Sequence, residues 1–223
     1  MKIGIFTAME KEASSFMRSD AIKETVGMFT VYKFTLGNHD AVLCCPPDVG
    51  EIAAASACQL LITKYNVDCI LNFGVVGALT PKMSVQSFVY VKDVVHYDMD
   101  VSVVEGFPVG RYDCFDDVAV KCDEKLLTKA IAINDLPTVR CASADKFVDT
   151  VERRTALHEK FGADICDMES AGILFACRFN NVPCLIVKCI SDSLNGGYGE
   201  YRDNVHSACK GFFIFAEQLI TNL

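Results

Sequence analysis

Asp68-Cys69-Ile70-Leu71-Asn72-Phe73-Gly74-Val75 is an apolar run that passes straight into the Gly-bounded turn Gly74-Val75-Val76-Gly77. Its length and its glycine boundary read as a β-strand opening onto a loop. Just before it, between Gly50 and Tyr65, Ile52, Ala53, Ala55, Ala57, Leu60 and Leu61 follow helical spacing. Just after it, Val85 to His96 reads as a longer strand. Alternation of strand and helix marks an α/β chain, and the pattern holds outward in both directions. Lys2 to Thr7 reads as a buried strand and Glu10 to Arg18 as the helix after it. Phe29 to Leu36 and Asp40 to Cys45 form a strand pair around Gly37-Asn38. Thr138 to Ser143, Ile165 to Asp167 and Cys184 to Ile190 supply further strands. Helices are expected over Asp123 to Asn134, with Asp123 as N-cap, and over 150–160, 169–180 and 204–221.

The chain has 223 residues, 51% hydrophobic and 22% charged, which suits one compact domain with a large core and excludes a disordered chain. With 21 Lys+Arg against 29 Asp+Glu the net charge is -8, so a basic face for nucleic acid is not expected. No apolar run approaches the ~18 residues of a membrane span, and no signal peptide is expected at Met1-Lys2-Ile3-Gly4-Ile5-Phe6. The 12 cysteines include no CxxC, and the histidines no HxxxH, so no zinc-ligand spacing is available. Many sit in apolar runs such as Val42-Leu43-Cys44-Cys45, where a free thiol acts as a small hydrophobe. Reduced thiols in a cytoplasm are the expectation.

Acids that interrupt or end apolar segments are the candidates for chemistry: Glu12, Asp145, Asp167 with Glu169, and Asp192. An ionised carboxylate in a core is costly unless paired, so an acid at a buried strand end is a functional candidate. Each also fits a helix cap or a solvated loop. The chain has no GxSxG, no GxxxxGK[ST] and no GxGxxG. Gly74-Val75-Val76-Gly77 suits close approach of backbone to a ligand.

Ordered blocks of the sequence then carry a resemblance. They are Met1-Lys2-Ile3-Gly4-Ile5 with Ala8-Met9-Glu10-Lys11-Glu12, Val49-Gly50-Glu51-Ile52-Ala53-Ala54-Ala55, and Asn72-Phe73-Gly74-Val75-Val76-Gly77-Ala78-Leu79. Further on come His96-Tyr97-Asp98-Met99-Asp100-Val101, Ser143-Ala144-Asp145-Lys146-Phe147-Val148, Asp167-Met168-Glu169-Ser170-Ala171 and Asn181-Val182-Pro183, leading to Ile190-Ser191-Asp192. Together they resemble the 5'-methylthioadenosine/S-adenosylhomocysteine nucleosidases of the nucleoside phosphorylase superfamily. The resemblance implies a three-layer α/β/α domain over residues 1–223, with a central mixed twisted sheet, assembled as a homodimer. It implies an N-glycosyl hydrolase that releases adenine and serves methionine salvage, with no metal and no organic cofactor. By similarity Asp192 is the acid at the purine, Glu12 the base that activates water, and Glu169 the residue holding the ribose hydroxyls, with Met168 against the sugar. Phe147 corresponds to the residue stacked on the purine and Val148 to the main chain at the base. Val49 and Gly50 lie near the ribose and 5' substituent. Val75, Gly77, Asp167 and Ser191 line the pocket, Tyr201 lies near a family aromatic over the sugar, and Phe107 corresponds to a loop closing the partner subunit's 5'-alkylthio pocket.

The chain departs from the family's usual pattern at Val75, where Ser is usual, at Ala78, where Gly is usual, and at Asp167, where Glu is usual. Asp145 and Lys146 read as structural. The loop Thr7-Ala8-Met9-Glu10-Lys11-Glu12 holds two acids and no arginine, so a phosphate there would be repelled and water is the expected acceptor. Phosphorolysis stays open if Arg111, Arg140 or Arg153 approaches from elsewhere. So does another purine nucleoside (adenosine, inosine or futalosine), or a binding protein without turnover.

Overall fold

A computed structural model describes the backbone of all 223 residues and every side chain except that of Glu105. Ten strands form one mixed sheet: β1 (Lys2–Phe6), β2 (Ile22–Val26), β3 (Phe29–Leu36), β4 (His39–Cys45), β5 (Cys69–Ala78), β6 (Phe88–His96), β7 (Val120–Lys121), β8 (Thr138–Ser143), β9 (Ile165–Asp167) and β10 (Cys184–Asp192). The helices are α1 (Glu10–Ala13), α2 (Glu51–Tyr65), α3 (Ser102–Glu105), α4 (Glu124–Ile133), α5 (Val151–Phe161), α6 (Ser170–Phe179), α7 (Gly197–Lys210) and α8 (Phe212–Thr221).

The sheet has both faces covered, and its strands show it. Along β1, Ile3 and Ile5 enter one apolar cluster and Phe6 the other; along β5, Leu71 and Phe73 oppose Ile70 and Val76. Period two on a strand buried on both sides gives this split. α2 and α6 cover one face, with Ala54, Leu61, Ile173 and Leu174 packed there. α4, α7 and α8 cover the other through Ala130, Val205, Phe212 and Leu219. The three-layer α/β/α expectation holds.

Pairing adds what the periodicity does not carry. β5 pairs in parallel with both β1 and β10, β10 runs antiparallel to β6, and β6, β8 and β9 lead back antiparallel to the end of β5. Five strands therefore close into a ring, and β1, β4, β3 and β2 extend from it as an open wing.

Four local readings are corrected. Gly74-Val75-Val76-Gly77, read as a turn, continues the strand, which runs to Ala78. The first helix is four residues long and tightens into a 3₁₀ turn at Ser14–Phe16. The segment expected as one helix over 204–221 starts at Gly197 and divides at Gly211, where a Cβ would fall 2.9 Å from the Phe88 ring. The edge strand β2 went unpredicted because most of it is exposed and lacks a clean apolar alternation. Asp123 caps α4 as expected, its carboxylate accepting from Leu126 N at 2.8 Å.

α2 and α6 meet at Gly172, where a Cβ would collide with the Glu51 carbonyl. Gly172→Ala is expected to lower stability by roughly 1–3 kcal/mol through overpacking, read from the midpoint of urea unfolding.

Candidate active site

Where β1, β5, β9 and β10 end, the chain encloses a cavity of about 610 Å³, within the range of small-molecule sites. Its acids come from separate elements, and burial raises the pKa of three of them, Glu12, Glu169 and Asp192.

Glu12 is the third residue of α1, fully enclosed. Its Oε2 accepts from Ala8 N at 2.8 Å and Met9 N at 3.1 Å, and Oε1 from Val75 N at 3.0 Å. The contact to Met9 N is half of a capping box, so the cap reading and the site reading describe one side chain. Burial raises its pKa, against the pull of the Lys188 ammonium and the three amides.

Glu169 is the N-cap residue of α6, and its Oε1 accepts from Gly50 N at 3.0 Å. Burial, reinforced by the Asp167 charge, raises its pKa to about 7. Asp192 closes β10. Its Oδ1 accepts from Ser191 Oγ at 2.6 Å and its Oδ2 pairs with Arg154 Nη2. Burial raises Asp192 as well, against Ser191 and Arg154.

Behind these acids lies Lys188, in the middle of β10 and 1% exposed. Its Nζ stands 2.7 Å from Asp167 Oδ2. Burial would lower its pKa, but the Asp167 and Glu169 charges outweigh that and hold it cationic. Asp167 in turn is kept below its ordinary pKa, since Lys188, Ser143 and Ser170 overcome the burial that would raise it. Gly74 leaves the space: a Cβ there would lie 3.2 Å from Lys188 Nζ and 3.4 Å from Glu12 Oε1.

The structure brings nearly all the expected site residues to this cavity. Val75, Gly77, Ser191 and Asp192 form one wall, Val148, Met168 and Glu169 another, and Val49 stands at the exposed mouth. Phe147 packs edge-on against Tyr201 at 5.5 Å and Tyr198 at 6.1 Å, and Tyr201 Oη reaches Met9 Sδ at 3.5 Å. Asp167 borders the cavity, yet its carboxylate is engaged by protein groups and not free to reach a sugar.

Two expected residues lie outside the lining. Gly50 acts from behind through its N–H to Glu169, and Phe107 lies under the Arg111 guanidinium at 5.4 Å, away from this chain's own cavity. Asp145 is structural as expected: its Oδ1 accepts from Glu51 N at 2.7 Å at the start of α2. Lys146 pairs with Asp98 at 3.0 Å and also borders the cavity. Arg111, Arg140 and Arg153 all stay away from the lining. Arg140 is held by Asp93 at 2.7 and 3.0 Å, and Arg153 lies 3.7 Å from Asp149.

Sequence reasoning missed Arg154, on α5 and 1% exposed. Its five N–H groups all find acceptors: Nε and Nη2 donate to Val148 O at 3.0 and 2.9 Å, Nη1 to Ala78 O at 3.3 Å and to Ser193 O, and Nη2 also to Asp192. One side chain thus ties together the end of β5, the 148 loop and the end of β10. Gly77 gives the pair room, since a Cβ there would lie 3.1 Å from Asp192 Oδ2 and 3.3 Å from Arg154 Nη2. Tyr198 was missed too; only its place one turn before Tyr201 on a helix could have signalled it. Among the described residues no group of three or more His, Cys, Asp or Glu side chains could hold a metal.

Converging acids, an aromatic wall and an apolar cavity at strand ends make this the site of an enzyme. The chain belongs to the phosphorylase superfamily, whose family model matches residues 2–221. The aminodeoxyfutalosine nucleosidase of Campylobacter jejuni is 28% identical over 199 residues, 86% of each chain. The 5'-methylthioadenosine/S-adenosylhomocysteine nucleosidase of Shewanella oneidensis is 29% identical over 203 residues, 87% of this chain and 85% of that one. The crystal structure of the Campylobacter jejuni 5'-methylthioadenosine/S-adenosylhomocysteine nucleosidase matches at TM-score 0.92 and 26% identity, covering 100% of both chains.

Arg154→Met leaves Asp192 and the Val148, Ala78 and Ser193 carbonyls without the buried donor they share. It is expected to lower stability by about 3–5 kcal/mol, measured by chemical denaturation at pH 7, with Arg154→Lys recovering part of the loss.

Proposed function

We propose that this protein is an N-glycosyl hydrolase acting on adenine nucleosides with a 5' thioether, of the 5'-methylthioadenosine and S-adenosylhomocysteine type, and that residues 1–223 work as one nucleosidase domain. The observation that carries the reading is the pair of buried acids in one apolar cavity, Glu12 on the β1 exit and Asp192 at the end of β10, each with its pKa raised by burial. Burial shifts both groups toward the range in which a carboxyl group can give a proton or take one during catalysis.

In this reading Asp192 gives its proton to the purine as the C1'–N bond breaks and the bonding pair leaves with the base. Phe147 stacks on the purine and the Val148 main chain meets it. Glu169 holds the ribose hydroxyls and, when ionised, steadies the positive charge on the sugar. Water attacks C1' and gives its proton to Glu12. The products are free adenine and the thioribose, and solvent returns the proton from Glu12 to Asp192.

Water as the acceptor, in place of phosphate, is supported by the state of the nearby cations. Lys188 is paired with Asp167, and every Arg154 donor is taken. The names of the relatives point the same way: all are nucleosidases.

We further propose a cytoplasmic homodimer serving methionine salvage. Val103 and Val104 on the segment before Phe107 are 98% and 85% exposed, as suits side chains that meet a second subunit. All twelve cysteines are unbridged and only Cys114 is exposed. No described helix is long and apolar enough to cross a membrane.

The test is chromatographic detection of free base from methylthioadenosine, S-adenosylhomocysteine, aminodeoxyfutalosine, adenosine and inosine, with and without phosphate. Adenine released from the thioether nucleosides without phosphate is the expected result; release that requires phosphate contradicts it. Asp192→Asn is expected to keep the fold and lower kcat ~10²–10⁴-fold, and near-normal turnover would remove Asp192 from its role.

A further inference from the structure

Behind the cavity, Ser143 Oγ lies between two carboxylates, 2.5 Å from Glu51 Oε1 and 2.6 Å from Asp167 Oδ1. The same oxygen accepts from Ala171 N at 3.2 Å. A serine hydroxyl has one hydrogen, so it cannot donate to both acids. One of the two carboxyl groups must itself donate to Oγ. Asp167 is the ionised partner, because Oδ2 faces the Lys188 ammonium and accepts from the Ser170 hydroxyl, while Oδ1 accepts from Ser170 N at 3.2 Å.

We infer that Glu51 stands as the neutral acid, donating its proton to Ser143 Oγ, and that through this proton it positions Asp167, and with it Lys188, under the active site. The hydroxyl is then complete: it accepts from Ala171 N and from Glu51 and donates to Asp167. The other Glu51 oxygen accepts from Gly172 N. The fit is local to the α2–α6 contact, and Glu51 is the first residue of α2.

The surroundings agree. Glu51 is 7% exposed, and no cation touches it directly. Asp167 on β9 and Glu169 at the start of α6 repel its charge, and Asp145 accepts from its backbone N–H. Tyr97, after β6, lies close enough to feel its charge, and so does Tyr112. His96 and Tyr112 line the apolar groove that Glu51 also borders. Burial first, then the Asp167 charge, raises its pKa to about 8.

The sign follows from linkage. In the unfolded chain this carboxyl loses its proton near the ordinary glutamate pKa; in the folded chain it keeps it to about 8. Its contribution to stability therefore falls as pH rises between those values and levels off above the upper one. Once ionised, Glu51 and Asp167 compete for one donor, and Asp167 is pushed from its place against Lys188.

Glu51→Gln presents a donor and an acceptor in the same positions and has no proton to lose. The thermal midpoints of wild type and E51Q are compared from pH 5.5 to 9. The gap is expected to grow in favour of E51Q by about 5 °C or more across that range. The ratio of turnover at pH 9 to that at pH 7 is expected to be about tenfold higher in E51Q, since about nine-tenths of a group with that pKa is ionised at pH 9. A gap constant with pH overturns the inference, and so does an E51Q that fails to fold, since the amide reproduces what a neutral acid presents. The kinetic arm rests on the nucleosidase reading. Absence of turnover in wild type contradicts that reading alone, and the thermal comparison still decides the protonation of Glu51.

Discussion

The buried ion pair between Lys188 and Asp167 is the constraint on which the site depends. A cation with no access to water has to be matched by carboxylates in place before the chain closes over it, and a single misplaced partner costs several kcal/mol. Lys188 projects from a strand whose nine residues are all buried, into the space that Gly74 leaves beside Glu12. Its charge holds Asp167 ionised and lowers the penalty of burying Glu12 and Glu169. Without it, three acids converging on one apolar cavity would repel one another.

A second cation does the corresponding work on the far wall. Arg154 spends all five donors on the segments around Asp192, which makes the acid's position a property of three elements together. Two of the three departures from the family's usual pattern become intelligible against this frame. At position 75 the group in use is the backbone N–H, which holds Glu12 whatever the side chain, so Val75 adds an apolar wall without loosening the acid. At position 167 the short aspartate is the length that meets Ser143, Ser170 and Lys188 together.

Much of this was legible in sequence. Glu12, Glu169 and Asp192 stood out as acids that interrupt or end apolar runs, but a cap or a solvated loop fits each of them as well and their roles came through the family resemblance; Asp123 announced its helix by the capping rule. Phe147 and Tyr201 came only through the family resemblance. Lys188 was in plain view as the single charge inside Cys184–Ile190, yet the run was read as a strand and its lysine passed over. Arg154 sits beside Arg153 in a polar helix, and nothing in the pair says which one turns inward. Glu51 drew no reading of its own in sequence beyond its place in the block Val49–Ala55; only the coordinates put it on Ser143. The closed ring of β5, β10, β6, β8 and β9 was illegible because pairing across long crossovers leaves no local periodicity.

The most direct test of the account is the pH dependence of kcat for Lys188→Met on methylthioadenosine. With the ammonium gone, Glu12 and Glu169 hold their protons to higher pH. The ascending limb is then predicted to move alkaline by about one pH unit or more, with a larger loss in kcat than change in KM. A limb that stays where the wild type has it would contradict the claim that Lys188 organises the acids of this site.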